Sequence, residues 1–409
     1  YDPSDMSTLF QDSAGTVPVT AVEQPVGRIL DKSGRGNHAI QATTTKRPIY
    51  SRRVNLLTKT DAAFSVSPWV MAGTTASGSR ITATAVNSNH IGYQPYAHVP
   101  DVPVRYRVQV AKKIGFGFFQ LCYSNTARVK CTVNLETGEF VVSKLGGADA
   151  VVTVTDTGTG RWEITITGSS STTIGTGYFN MGPTTSLSEA VNPYQEPVFT
   201  GTGEYIDVYE PDLRLATDAH LPYQRVNTAT DYDADPSKFP AYLRVDGVDD
   251  SLASSTGGGG TTGFFFSAAI SPQGSAGTAR TLFSDAGTNT GYIVRLNTSN
   301  QLELSAGNGT TYTTIATAGT LAVGSTDIVQ AWDDGTNLNV KIGNGATASI
   351  ARPTVSAGTA GYTMGQDNGA STGYFNGRAY STIYRKDSGL TQVQREAVAL
   401  YQRQKARMP

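Results

Sequence analysis

Two short clusters of acidic and amide side chains stand out in a chain otherwise poor in charge. One is Asp31-Lys32-Ser33-Gly34-Arg35-Gly36-Asn37-His38-Ala39 and the other is Asp246-Gly247-Val248-Asp249-Asp250. Asp31, Asn37, Asp246, Asp249 and Asp250 offer carboxylate and amide oxygens, the hard donors that Ca2+ takes. The competing reading is local, because Asp and Asn in such turns hydrogen-bond their own backbone. A second set has the chemistry of sugar recognition. Tyr93, Gln94 and Tyr96 lie in His90-Ile91-Gly92-Tyr93-Gln94-Pro95-Tyr96, expected as a loop, and Tyr123 and Asn125 lie at a hairpin tip. Exposed aromatic faces stack on pyranose C–H groups while amides bond hydroxyls. The alternative for these tyrosines is packing or a subunit contact.

Catalytic constellations are missing from the sequence. The four histidines, His38, His90, His98 and His220, show no metal-binding spacing. There is no nucleophile elbow and no phosphate loop. Glu136 and Glu139 flank a hairpin turn and read as solvated turn residues, whereas glycoside hydrolysis needs two carboxylates facing each other across a cleft. A binding protein is expected, not an enzyme. Cys122 and Cys131 fall on the two arms of one hairpin. With the turn centred near Asn125 they are expected diagonally on one face, where a disulfide would require a shift of register, so two free thiols are expected.

These residues must be positioned by strands. The chain has 409 residues, 44 of them Gly, with 16% charged residues and a formal net charge of -1. Length suggests two or three domains. A texture of Thr, Gly, Ser, Val and Ala suits many short strands joined by Gly/Asn/Asp turns. Near-neutral charge without a Lys/Arg cluster speaks against nucleic acid. No apolar run approaches the roughly 18 residues of a membrane span, and no signal peptide is visible. The start at Tyr1 points to missing upstream sequence.

Alternation is clear in Val104-Arg105-Tyr106-Arg107-Val108-Gln109-Val110, where Val104, Tyr106, Val108 and Val110 share a face. Phe140–Ser143, Val151–Val154 and Trp162–Ile166 continue the strands, and Asn134–Glu139 makes a hairpin turn. Asp333-Asp334-Gly335 links strands 328–332 and 338–342, with Trp332 expected half-buried. The Gly run from Ser254 to Thr262 reads as a flexible loop or bent strand edge, and Phe264-Phe265-Phe266 as a buried strand or subunit contact. One helix is expected, about 391–405, docking an apolar stripe of Val393, Ala397, Leu400 and Tyr401 on a sheet. No fixed-period repeat is present.

Tyr1-Asp2-Pro3-Ser4-Asp5, Asp31 to Ala39, and Arg47-Pro48 together resemble the start of concanavalin A-like (laminin-G-like) domains of bacterial and phage surface proteins. In those domains a Phe-Asp-Gly-Val-Asp-Asp-type strand follows closely. Here its counterpart, Val245-Asp246-Gly247-Val248-Asp249-Asp250-Ser251-Leu252, comes far downstream, and the ending Tyr374-Phe375-Asn376-Gly377-Arg378, Tyr380 to Tyr384 and helix also fits. The resemblance implies an insertion: 1–53 and 225–409 form the laminin-G-like sandwich, and 54–224 interrupt it. The inserted part is itself similar to carbohydrate-binding-module-like jelly rolls of phage fibres and head spikes, through Asn55-Leu56-Leu57, Trp69, Gly160-Arg161-Trp162-Glu163-Ile164 and Pro222-Tyr223-Gln224-Arg225. Trp69 and Trp162 align with core positions. Tyr209-Glu210-Pro211-Asp212-Leu213 departs from the usual Gln-Leu-Glu strand and leaves that register open.

The expected fold is therefore all-β: two β-sandwiches, one inserted in the other, with a C-terminal helix. The expected function is a virion appendage (tail fibre, collar fibre or head spike) binding host surface polysaccharide without cleaving it. Many laminin-G-like domains bind Ca2+, for which Asp31, Asn37, Asp246 and Asp249 are the expected ligands. The glycosidases on related sandwiches carry a Glu-x-Asp-x-x-Glu-like strand that is not found here. Other virion proteins and a homo-oligomer, by analogy a trimer, are the expected partners, and the expected location is the particle surface. Two alternatives are a purely structural decoration or cement protein and a polysaccharide depolymerase.

Overall fold

The computed structural model describes residues 1–409 except 62–63, 174, 255–262, 275–276, 359–360, 367–372 and 387–388. The Gly run from 255 onward therefore lies outside the described residues. The chain is all-β with one C-terminal helix, and it divides into two compact units. One comprises Tyr1–Arg52 with Ala234–Pro409, and the other Arg53–Asp233.

Among its described residues, the Arg53–Asp233 unit is built on two six-stranded sheets. Val104–Ala111 lies inside the first sheet, between Arg161–Ser169 and Tyr205–Leu215, and its burial alternates strictly. Val104, Tyr106, Val108 and Val110 point inward, as the sequence period requires. Tyr106 stacks on Phe179 of the facing sheet at 3.9 Å between centroids. Fully burying a side chain of this kind contributes about 1.5–3 kcal/mol. Trp69 is buried edge-on against Phe64 and Phe179, and the Trp162 indole N–H donates to the Leu135 carbonyl at 2.9 Å.

Strand Tyr205–Leu215 resolves the register that the sequence left open. Gln109 pairs with Tyr209 and Arg107 with Asp212, with a shift between them. The shift falls at Glu210, which has φ +51°, and at Pro211, which has no N–H to give the ladder. Beyond it, Arg214 is buried on Asp212, with Nε–Oδ1 at 2.6 Å, and donates to the carbonyls of Asp218, Leu221 and Pro222.

The unit's ends are tied together beyond residue 224. Val226 N–H donates to Thr60 Oγ1 at 2.9 Å, and Thr60 N–H returns to the Val226 carbonyl at 2.9 Å. Hairpin pairing places Cys122 opposite Arg128 and Cys131 opposite Phe119. The turn does centre on Asn125, but the two cysteines face opposite sides of the sheet. Partner positions 122 and 119 differ by an odd number, which flips the face. Cys131 joins the core, whereas Cys122 meets Gln120 and Asn180 on the other face, and both are free thiols.

The other unit pairs a nine-stranded with a seven-stranded sheet among its described residues. Strand Phe264–Pro272 is buried along its whole length, between Asp327–Asp333 and Asn376–Arg385. Phe264 and Phe266 enter the core between the sheets. The opposite face is covered by the helix Gln392–Lys405, which explains a continuous apolar run where an exposed sheet face would alternate. Thr391 caps the helix in a capping box with Gln394.

The helix docks by a different face from the one its apolar stripe suggested. Val393 is 73% exposed and Leu400 59%, and Ala397 and Tyr401 are exposed too. Buried Gln402 faces the sheet instead, bonded to Ser267 and Ser381. Arg395 lies 4.5 Å over the Trp332 ring, which is buried and not half-exposed. The outer sheet face is mixed: Ala269, Ile328 and Tyr380 pack with Ala399 and Ala406, while Ser267, Gln330 and Ser381 bond the helix through Gln402 and the Arg395 carbonyl.

Candidate functional site

The acidic turn after strand Tyr242–Asp246 is shaped by its own backbone. Asp246 Oδ1 accepts from the N–H of Val248 at 2.8 Å and Asp249 at 3.3 Å, while Asp246 N–H donates to Asp250 Oδ2 at 3.0 Å. Gly247 has φ +77°, and a Cβ there would lie 2.5 Å from Asn376 Cβ, so the turn admits only glycine at that position. Asn376 is the ladder partner of Asp246. The result brings one oxygen from each of Asp246, Asp249 and Asp250 within 4.8 Å of one another. Burial, then the neighbouring Asp246 carboxylate, pushes the Asp250 carboxyl up to about 6.

This turn borders a cavity of about 330 Å3. Asp246 and Asp250 share its lining with Gln273 and Asn376, with Thr44 and Thr45, and with Arg47 and Arg244. Carboxylates, amides and hydroxyls converging on one volume form a donor and acceptor set matched to a polyhydroxylated ligand. Gln273 and Asn376 were missed as site residues. Gln273 follows the strand Phe264–Pro272 and Asn376 opens the strand Asn376–Arg385, far apart in the chain, and the Asn376-Gly377-Arg378 motif marked a strand without showing what it faced.

The four expected Ca2+ ligands do not form one shell. Asp31 and Asn37 line another cavity, while Asp246 and Asp249 cluster with Asp250. Asp31 follows the local reading: its carboxylate accepts from Ser33 N–H at 2.8 Å, Ser33 Oγ at 2.7 Å and Asn37 N–H at 3.1 Å. The left-handed turn glycines were legible, with Gly34 at φ +77° and Gly36 at φ +76°. The Asp246–Asp249–Asp250 trio fits a hard divalent cation, since its donors are all carboxylate oxygens and their mutual repulsion is what such an ion relieves.

The tyrosine set is also dispersed. Its expected loop is a strand, Ile91–His98, whose alternation sends Gln94 and Tyr96 inward and Tyr93 outward. Gln94 is buried and bonded to Thr58 N–H at 2.8 Å and to the Thr58 carbonyl at 2.9 Å. Tyr96 is buried with its hydroxyl on the Cys122 carbonyl, and Tyr123 is fully buried. These three present no face to a sugar, which corrects their reading as exposed groups. Tyr93 is half-buried, edge-on to Tyr178 at 5.7 Å, and Asn125 is exposed at the hairpin tip.

No protein-family model matches the chain, and no curated protein matches it. Several solved structures match the chain at low identity and low TM-score. The chain is similar to the CBM40 of Ruminococcus gnavus IT-sialidase at 11% identity and TM-score 0.30, over 36% of this chain and 96% of that one. It is similar to domains LG4-5 of the mouse laminin alpha1 chain at 10% identity and TM-score 0.28, over 82% and 92%. A putative carbohydrate binding protein from Bacteroides ovatus is similar at 10% identity and TM-score 0.29, over 75% and 78%.

Proposed function

We propose that this chain is part of a phage-type virion appendage, a tail fibre, collar fibre or head spike, that binds a host surface polysaccharide and does not cleave it. The observation that carries the binding is the convergence of Asp246, Asp250, Gln273, Asn376, Thr44 and Thr45 on one cavity. Amide and carboxylate oxygens accept from sugar hydroxyls, and the amide N–H groups donate back. Ca2+ would be held by Asp246, Asp249 and Asp250, where it would neutralise the carboxylates and add a positive centre for hydroxyl oxygens. Binding at one site is weak, and several copies on one particle, a homotrimer in this reading, raise the avidity.

The carboxylates of the turn argue against hydrolysis in this cavity. Asp246 and Asp250 come from one turn and lie on the same side, whereas glycoside cleavage needs carboxyl groups flanking the bond. Asp246 Oδ1 is moreover occupied by the N–H groups of its own turn, which leaves Oδ2 for a ligand. A purely structural virion role is the second reading. It is favoured by strand Phe140–Leu145 at a sheet edge, where Phe140, Val141, Val142 and Leu145 are each 37–46% exposed.

The test is a glycan-array and whole-cell binding assay on the recombinant chain with and without EDTA, repeated with Asp249→Asn. Saturable binding that EDTA and the variant weaken is the expected result. Release of shortened saccharides would make the protein a depolymerase. No binding by the intact, assembled oligomer would leave the structural role.

A further inference from the structure

A second polar cavity, of about 440 Å3, lies in the same unit and shares no lining residue with the one at Asp246. Its wall carries Tyr362 and Tyr384, whose ring centroids are 5.0 Å apart. Around them stand Arg35, on the Gly34–Gly36 turn, and Arg385 and Lys386, at the end of strand Asn376–Arg385. All three cations are exposed.

The acids in this cavity are already engaged. Asp31 is saturated by Ser33 and Asn37. Asp2 holds Ser4 Oγ at 2.6 Å, the Tyr401 hydroxyl at 2.8 Å and Lys405 Nζ at 3.0 Å. By contrast, the Arg35 and Lys386 side chains make no hydrogen bond or ion pair among the described residues. Arg35 and Lys386 therefore stand exposed at the cavity with no partner among the described residues, beside the half-buried Tyr384 ring.

We propose that this cavity is a second binding site, selective for an acidic saccharide. The accessible part of the Tyr384 ring takes the apolar face of a pyranose, and Arg35 and Lys386 take its carboxylate or sulfate groups. This goes beyond the binding proposed at Asp246, because it assigns ligand charge to a separate set of residues and does not depend on Ca2+.

The experiment is calorimetric titration of the full chain with hexagalacturonate, with its fully methyl-esterified and hence uncharged form, and with dextran sulfate. The double variant Arg35→Ala/Lys386→Ala is titrated alongside, with Lys238→Ala as a cation removed outside the cavity and circular dichroism to establish that each variant is folded. The acidic or sulfated probe should bind, and the ester at least about tenfold more weakly, given the size of a charged hydrogen bond. The double variant should lose about tenfold or more, Lys238→Ala should match the parent, and added salt should weaken the binding. Equal affinity for the ester, undiminished affinity in the folded double variant, or no binding of either anionic probe would each overturn the proposal.

Discussion

Asn55 and Gln224, 169 positions apart in sequence, exchange hydrogen bonds that close the Arg53–Asp233 unit at its two ends. Gln224 Oε1 accepts from Val54 N–H at 2.7 Å and from Asn55 N–H at 3.0 Å. Asn55 Nδ2 returns to the Gln224 carbonyl at 3.0 Å, and Asn55 Oδ1 accepts from the N–H groups of Leu57 and Leu213, each at 3.1 Å. Both side chains are fully buried.

Replacing Asn55 by Ala strands the Leu57 and Leu213 N–H groups without acceptors. Each buried orphan costs about 1–3 kcal/mol. Asn55→Ala should therefore destabilise the Arg53–Asp233 unit by about 2–5 kcal/mol, and Gln224→Ala by a similar amount. Urea unfolding followed by Trp69 and Trp162 fluorescence measures this. An unchanged midpoint would contradict the clamp.

The Asp212–Arg214 pair is buried, and breaking one side leaves an uncompensated charge. Arg214→Met should cost about 3–5 kcal/mol, and more than the double change Asp212→Leu/Arg214→Met, which removes both charges. A double-mutant cycle on thermal or urea midpoints distinguishes this from simple loss of packing, which would make the double change the worse one.

Asp2 gives a pH dependence with a definite sign. Burial pushes its carboxyl up, but bonds from Ser4, Tyr401 and Lys405 outweigh burial and hold it at about 2, below the ordinary value of 3.8. A depressed carboxylate contributes stability that is present above the unfolded value and lost as pH falls through the folded one. The contribution is about 2 kcal/mol. The difference in unfolding free energy between the parent and Asp2→Asn should be full at pH 5.5 and shrink as pH falls from about 4 to 2. A pH-independent difference would refute the assignment.

Cys122 and Cys131 should be inert in the folded chain. Burial pushes each thiol up to about 12, so the reactive thiolate is scarce at neutral pH. A chromogenic disulfide reagent should find neither until denaturant is added and then titrate both, while oxidants should form no bridge between them because they face opposite sides of the sheet.

Much of the architecture was legible because period-two alternation is local. Val104–Val110 announced its inward face, Asp333-Asp334-Gly335 its hairpin, and the helix stands close to the expected 391–405. The helix face was not legible. Val393, Ala397, Leu400 and Tyr401 satisfy helical spacing, yet what they would meet depends on Ser267 and Ser381, residues far away in the chain. Parity decided the cysteines and the tyrosines in the same way. Whether Cys122 faces the core, or Tyr96 faces water, turns on one residue of register, and a loop expected at 90–96 is a strand. Asp31 and Asp246 look alike as acidic turns. Both accept from the N–H groups of their own turns, and only the fold shows that Asp246 is brought beside Asp249, Asp250, Gln273 and Asn376 while Asp31 is not.

Strand Ile49–Ser51 pairs with Tyr242–Asp246, and Ala39–Ile40 with Leu252–Ser254. During synthesis the first segment of that sandwich therefore emerges long before its partners exist. At about 5–20 residues per second the wait is on the order of ten seconds or more. All strands of the Arg53–Asp233 unit emerge before those partners do, and its fold ties its own two ends together through Asn55 and Gln224, which shortens the effective loop between the flanking strands. In order of synthesis the interrupted sandwich is thus begun first and completed last, with the whole of the interrupting sequence made between its early strands and their partners.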